Sequence, residues 1–494
     1  MMEFLDKYME DFYPDKRLNE VANAVIKYLP SLVPFYSSEE TLSEYSRRVN
    51  FYKSNKIHLD RQKIFKLKIK EKIERLFNKN ELTDIKININ AKSGLVSGVV
   101  DHHGILDHPW LLAVHLVSNF YKLLNRDIEG DILTFATGNV PLNEPFRRRG
   151  FILNGKKINL FSKNDKNKIV YGLPKYDFDI VARLKQESHQ WHKFNTEEQE
   201  LLLKIDGIIK NIDFSTCKYL GDQLTKINYY IWPLLFEEKI RNRVSRLVSI
   251  EYDDIVIDYL IFVLENEPES FIYQMLFEEK FRVKIMTRFM GAVGAWSEDG
   301  GSGTHFFWGL DKDNKHIRLE LDNGYLVSKK KDFKIRFAPQ EVIKKLQQKE
   351  LLPCMFLKFS LIMLYMGMKP LAGYSIEYLT RIKKNMIDVL KEDFPKEAEL
   401  ATGVPIDNMN VISICQGRDD KGELRELHAF DIFYRGGFSE DYFKKLDSFH
   451  FKDYMIPPML FAYKYGLAKY GGSDQRQEFS VTEEDLQKTA EKIF

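Results

Sequence analysis

Residues 95 to 110 read Leu95-Val-Ser-Gly-Val-Val-Asp101-His102-His103-Gly-Ile-Leu-Asp107-His108-Pro109-Trp110. An apolar run typical of a strand, Leu95 to Val100, leads into the ionisable side chains of positions 101 to 108. An apolar helical pattern follows from Pro109, a residue that suits the first turn of a helix. The stretch therefore predicts a strand, a polar loop and a buried helix in succession.

A second strand pattern, Asp131 to Ala136, follows this helix and ends in Thr137-Gly138-Asn139. Strand, helix and strand within about forty residues is the βαβ pattern, which implies two parallel strands. We expect the loop after each strand, 101–108 and 137–143, to lie at the same edge of the sheet. Open α/β sheets bind their ligands at that edge.

The rest of the chain predicts an α/β fold, with a mixed α+β arrangement as the alternative. Asn154-Gly155 between two apolar runs indicates a hairpin, residues 300–330 indicate an antiparallel meander, and Ala429–Tyr434 is a short strand candidate. The expected organisation is an N-terminal helical segment, an α/β core with the βαβ unit, a large helical block, the β-meander and a C-terminal helical or mixed region, at 1–80, 81–175, 176–295, 296–335 and 336–494.

Composition narrows the classes of function. Lys and Arg number 74 against 72 Asp and Glu, so we do not expect a nucleic-acid-binding protein. An uninterrupted apolar run of about 20 residues is absent from the sequence, so we expect no membrane association. The three cysteines are far apart in sequence, which is typical of reduced thiols in a soluble cytoplasmic protein. The oligomeric state stays open.

The polar loop contains the densest group of potential metal ligands in the sequence. Asp101, His103, Asp107 and His108 offer carboxylate and imidazole ligands that suit a divalent ion such as Zn²⁺, Mn²⁺ or Mg²⁺. The same residues have other interpretations: Asp107 or His108 caps the helix, or His102, His103 or His108 acts as a general base without metal.

Val99-Val-Asp-His-His103 locally resembles the DHH phosphoesterase family, in which this tripeptide follows a strand and binds manganese. The resemblance implies metal-dependent phosphoester hydrolysis. The aspartate-rich upstream motifs of that family have no counterpart before Asp101, so the sequence assigns no family.

Three other segments offer groups for binding an anionic substrate. Asn139, Arg147 and Arg149 follow the second parallel strand. A guanidinium group can bind phosphate or carboxylate through two parallel hydrogen bonds. Ser302, Thr304 and His305 end a glycine-rich loop, in which His305 is a further candidate base. Arg318 and Glu320 share one face of the predicted meander.

The leading hypothesis is an enzyme that hydrolyses, or transfers a group from, a small phosphorylated or carboxylated substrate with a divalent metal at residues 101–108. One alternative is a metal-free transferase or ligase that uses His103 or His305 as general base. Another is a non-catalytic protein that binds a macromolecular partner. The identity of the substrate is not predicted.

Overall fold

A computed structural model describes residues 11–87, 95–98, 101–146, 149–186, 190–291, 303–330, 332–419 and 422–494. The side chains of residues 97, 98 and 101 are outside that description.

The strands are β1 (Val96–Gly98), β2 (Asp101–His102), β3 (Ile132–Thr137), β4 (Gly150–Leu153), β5 (Lys156–Asn159), β6 (Leu247–Glu251), β7 (Phe307–Leu310), β8 (His316–Asp322), β9 (Tyr325–Ser328), β10 (Lys334–Arg336), β11 (Leu351–Pro353), β12 (Lys369–Leu371), β13 (Gln416–Arg418) and β14 (Leu424–Glu426). The helices of the first half are α1 (Lys16–Tyr28), α2 (Val33–Tyr36), α3 (Leu42–Asn50), α4 (Lys56–Leu76), α5 (Lys79–Asp84), α6 (Pro109–Ser118), α7 (Arg126–Glu129), α8 (Ile180–Gln186), α9 (Thr196–Lys210) and α10 (Leu220–Ile231). The second half contains α11 (Tyr252–Asn266), α12 (Phe271–Phe277), α13 (Glu279–Phe289), α14 (Pro339–Gln347), α15 (Met355–Phe359), α16 (Ile376–Asp393), α17 (Pro395–Thr402), α18 (Ala429–Tyr434), α19 (Glu440–Leu446), α20 (Phe451–Tyr454), α21 (Met459–Tyr470) and α22 (Glu483–Ile493), with a π-helix at Ser360–Tyr365 after α15.

A parallel sheet of order β2-β3-β6 organises the fold. Residues of β6 are buried throughout, and β3 is buried at all positions but one, a pattern typical of parallel sheets, in which both faces are covered. The predicted βαβ unit is confirmed in its parallel pairing: Asp101 lies opposite Ala136 in the register. The fold is thus α/β, as the sequence predicts.

The first strand of this sheet, β2, is shorter than the apolar run Leu95–Val100 predicts. The apolar run contributes β1, which pairs in parallel with β12 from the C-terminal region, and only Asp101 and His102 pair with β3. Periodicity identifies an extended segment but not its partner, because a strand far along the chain competes equally for its backbone groups.

Two antiparallel elements agree with the predictions. The hairpin of β4 and β5 turns at Asn154 and Gly155, whose φ angles of 47° and 73° are those of a tight primed turn. The meander pairs β7, β8 and β9, and is extended to five strands by β10 and β11.

The strand prediction for Ala429–Tyr434 is wrong, because this segment is helix α18. The Asp431 carboxylate accepts a hydrogen bond from the backbone N–H of His428, which satisfies a donor at the helix start. This local cap outweighs the alternation of apolar residues.

Among the helices of the described ranges, none is both long enough and apolar enough to cross a membrane.

Candidate active site

The loop after β2 is held at the carboxyl end of the parallel sheet, as expected. The backbone N–H of His103 donates to the carbonyl of Thr137 at 2.8 Å, so the loops after β2 and β3 meet. The loop ends at His108, whose Nδ1 accepts a hydrogen bond from the Trp110 N–H at 3.2 Å. His108 therefore caps α6, which is the capping role foreseen for it.

Asp107 is buried and faces a histidine from the other end of the chain. Its Oδ2 accepts hydrogen bonds from His428 Nδ1 at 2.9 Å and from the Ile152 N–H at 3.1 Å. The Asp107 side chain is 3% exposed and that of His428 is 18% exposed. Because Nδ1 of His428 is hydrogen-bonded to Asp107, a ligand would exchange protons with the other ring nitrogen, Nε2.

The β4–β5 hairpin brings His428 to Asp107. The Phe151 ring on β4 packs on Phe430 of α18, with centroids 4.0 Å apart. At the hairpin turn, the Asn154 N–H donates to the Asp431 carboxylate at 2.6 Å. The hairpin therefore positions the start of α18, and His428 immediately before it, over the loop after β2.

A cavity of about 60 Å³ opens beside this pair. Its walls combine an imidazole–carboxylate pair, a lysine and aromatic rings, and consist of Asp107, His108, Pro145, Phe146, Phe151, Ile152, Lys157 and His428. An apolar cavity of about 150 Å³ accommodates benzene, so this space suits a group of a few heavy atoms, such as a carboxylate or phosphoryl group.

The pair has the electrostatics of a proton-transfer site. Burial alone would lower the pKa of His428, but the hydrogen bond to Asp107 and its charge outweigh burial and raise it. Burial raises the pKa of Asp107, and the hydrogen bond from His428 opposes that shift. The two side chains thus hold a proton between them at the wall of the cavity.

The other two histidines of the loop, His102 and His103, each contact a glutamate. His102 Nδ1 contacts Glu144 Oε2 at 2.9 Å, and His103 Nδ1 contacts Glu251 Oε2 at 2.8 Å. Within the described residues, there is no group of three or more His, Cys, Asp or Glu side chains arranged to hold a metal ion. The side chain of Asp101, a predicted ligand, lies outside the described residues.

Glu251 closes a buried network at the ends of β3 and β6. Its Oε1 accepts a hydrogen bond from the Gly138 N–H at 2.9 Å. Two residues later, the Asp253 carboxylate accepts from the Thr137 hydroxyl at 2.8 Å and pairs with the Lys358 ammonium. The sequence offers no signal for this network, because Lys358 lies in an apolar helical run.

Asn139 and the meander meet at one side of this network. The Asn139 side chain contacts His316 Nε2, and its backbone N–H donates to Asp253 Oδ2 at 3.1 Å. Burial, and to a smaller extent the charge of Lys358, lower the pKa of His316 to about 4. Asn139 therefore has a structural connection to β8.

The remaining predicted site residues are spread over the molecule. Arg149 donates to the Phe161 carbonyl at 3.1 Å, and Arg318 lies 3.9 Å from Glu320 in a partly exposed pair. The Thr304 hydroxyl donates to the Phe307 carbonyl at 2.5 Å. His305 is buried between the rings of Phe306 and Phe337. Arg147 and Ser302 lie outside the described residues.

The chain matches no family model and no curated protein. The site's own geometry is therefore the basis for assigning a function.

Sequence reasoning missed His428 and Lys157, which both line the cavity. His428 lies 321 positions from Asp107, so only the folded chain brings them together. Lys157 lies on β5 after the Asn154-Gly155 turn, and its position in the sequence indicates only a strand of the hairpin. The cap formed by Asp431, three positions after His428, is the one local signal that places this histidine at a helix start.

Proposed function

We propose that the protein is an enzyme that acts on a small anionic substrate, by hydrolysis or group transfer, in the cavity beside Asp107 and His428. The observation that carries this proposal is the buried carboxylate bonded to Nδ1 of a partly exposed histidine at a cavity wall. A histidine oriented in this way is suited to general acid–base catalysis.

In this proposal, His428 Nε2 removes a proton from a water molecule or a substrate hydroxyl as that oxygen attacks the phosphoryl or carbonyl centre. The bond to the leaving group then breaks, and the imidazolium returns the proton to the leaving group. Asp107 stabilises the imidazolium and fixes the ring's orientation. Both roles follow from its hydrogen bond to Nδ1.

Positive charge at the cavity would bind the substrate's anionic group. Lys157, a cationic residue, lines the cavity. The start of α6, at Pro109, adds the partial positive charge of a helix N-terminus. Together these groups favour a phosphorylated or carboxylated ligand over a neutral one.

The metal-assisted form of this chemistry stays a prediction. It requires Asp101, His103, Asp107 and His108 to converge on one ion, whereas Asp107 is paired with His428 and His103 with Glu251. The acid–base form needs no such rearrangement, and we favour it for that reason. Metal analysis of purified protein, with and without alanine at His102, His103 and His108, separates the two forms.

A thermal-shift screen with methylphosphonate and acetate tests the proposal. We expect at least one anion to raise the melting temperature of the wild-type protein, and Lys157→Met to abolish the rise. Lys166→Met, which removes an exposed lysine outside the cavity, is the matched control. A wild-type protein that responds to neither anion would contradict the proposal and favour the non-catalytic binding protein.

A further inference from the structure

A row of aromatic rings runs from the cavity wall to the surface. The Phe146 ring lies 5.0 Å from His108 and 6.4 Å from Trp110, measured between centroids. Trp110 in turn lies 4.7 Å from Phe461. We call Phe146, Trp110 and Phe461 the aromatic shelf.

Contacts with neighbouring side chains hold the rings of the aromatic shelf in place. The Trp110 indole N–H donates to Glu426 Oε1 at 2.9 Å, which fixes the plane of the ring. The Phe461 ring lies 5.5 Å from Tyr374, which is buried, and 6.3 Å from Tyr465 one turn further along α21. A ligand would therefore meet rings that are already ordered.

The outer end of the shelf is open to solvent. Phe461 is 39% exposed, and Trp110 is partly exposed. Single exposed apolar side chains are common on proteins, but this pair is continuous with Phe146, which forms part of the cavity wall. Continuity with a polar cavity distinguishes the shelf from a scattered surface residue.

We propose that the aromatic shelf binds the planar, apolar part of a substrate whose anionic group occupies the cavity. The inference rests on the proposed function, and it narrows the substrate class to aryl or heteroaryl phosphates and carboxylates. The cavity is too small for a ring and an anionic group together, so the ring has to lie outside it. The shelf is the aromatic surface that adjoins the cavity there.

Stacked and edge-to-face aromatic pairs stabilise a complex beyond the burial of their area alone. The shelf should therefore discriminate between two ligands with the same head group and different tails. We expect phenylphosphonate to bind about five times more tightly than methylphosphonate, and phenylacetate to exceed acetate by a similar factor. Neither phosphonate has a phosphoester bond to hydrolyse, so binding is measured without turnover.

Isothermal titration of the full chain with both ligand pairs tests the inference. The ratio of the two dissociation constants measures the contribution of the aromatic shelf to affinity. The affinity for acetate or methylphosphonate alone measures the contribution of the cavity. We expect Phe461→Ser to lower the ratio and to leave methylphosphonate or acetate binding unchanged. Phe51→Ser is the matched control, because Phe51 is 66% exposed and does not belong to the shelf.

The outcomes separate the two proposals. A wild-type ratio of one, with methyl ligands still bound, would overturn the shelf and leave the cavity standing. An unchanged ratio in Phe461→Ser would also overturn it. Absence of binding by every ligand would overturn the proposed function itself. Sedimentation that shows a dimer lost in Phe461→Ser would assign the shelf to a second copy of the chain and overturn its role in substrate binding.

Discussion

Asp107 and His428, 321 positions apart in sequence, are joined by a hydrogen bond of 2.9 Å between Oδ2 and Nδ1. Asp107 lies in the loop after β2, and His428 immediately precedes α18, which packs on the β4–β5 hairpin. The catalytic pair that we propose is thus assembled from two distant segments by the hairpin between them.

Replacement of Asp107 by Asn should lower the pKa of His428. The carboxylate raises that pKa through its hydrogen bond and its charge, and an opposite charge at this range typically shifts a pKa by about 1 to 3. We expect the pKa of His428 to be lower in Asp107→Asn than in the wild type, measured by NMR titration of protein labelled at histidine carbons. Assignment comes from the signal missing in His428→Gln.

Asp313→Asn serves as the control, since Asp313 is exposed and pairs with Lys315 outside the site. An unchanged His428 pKa in Asp107→Asn would show that the hydrogen bond does not govern the proton affinity of this imidazole.

Acid should destabilise the protein through His316. Its pKa in the folded state is lowered to about 4, below the unfolded value of about 6.5. The stabilisation is therefore present above pH 6.5 and is lost as the pH falls through 4. Between pH 7 and pH 4, the wild-type free energy of unfolding should decrease by on the order of 3 kcal/mol more than that of His316→Gln.

Urea denaturation at a series of pH values measures this difference, with the exposed His192→Gln as control. Parallel pH profiles for the wild type and His316→Gln would mean that His316 titrates normally in the folded protein.

Alanine at Gly138 should destabilise the fold, whereas alanine at Gly207 should stabilise it. A Cβ at position 138 would lie 2.5 Å from Glu251 Oε2 and 2.8 Å from the Tyr171 nitrogen, while one at position 207 on α9 meets nothing within 4 Å. We expect a loss of about 2 kcal/mol for Gly138→Ala, as for other overpacked sites. Gly207→Ala should gain about 0.5 to 1 kcal/mol, because alanine favours a helix interior.

Denaturant unfolding of both variants measures the change. Equal stabilities for Gly138→Ala and the wild type would argue against the close approach of Glu251 to the backbone after β3.

The sequence predicts the parts of this molecule that depend on local chemistry. The primed turn at Asn154-Gly155, the meander and the parallel pairing of the strands around α6 all follow from turn residues and periodicity. It also places the polar loop beside the loop after Thr137. Each of these features is encoded within a few tens of residues.

Features that depend on distant segments are not predicted. The pairing of β1 with β12, and the ion pair between Asp253 and Lys358, join segments more than a hundred residues apart. The contact between Asp107 and His428 spans 321 positions, so a local sequence pattern does not indicate it. Tertiary contacts decide such positions.

The most direct test of the proposed active site is the pKa of His428 with and without saturating methylphosphonate or acetate, followed by the same NMR titration. An anion held in the cavity lies beside the imidazole and favours its charged form. We expect a bound anion to raise the pKa of His428, with the signal of the exposed His192 as the control. Binding of an anion with no change at His428 would contradict the assignment of this cavity as the site of chemistry.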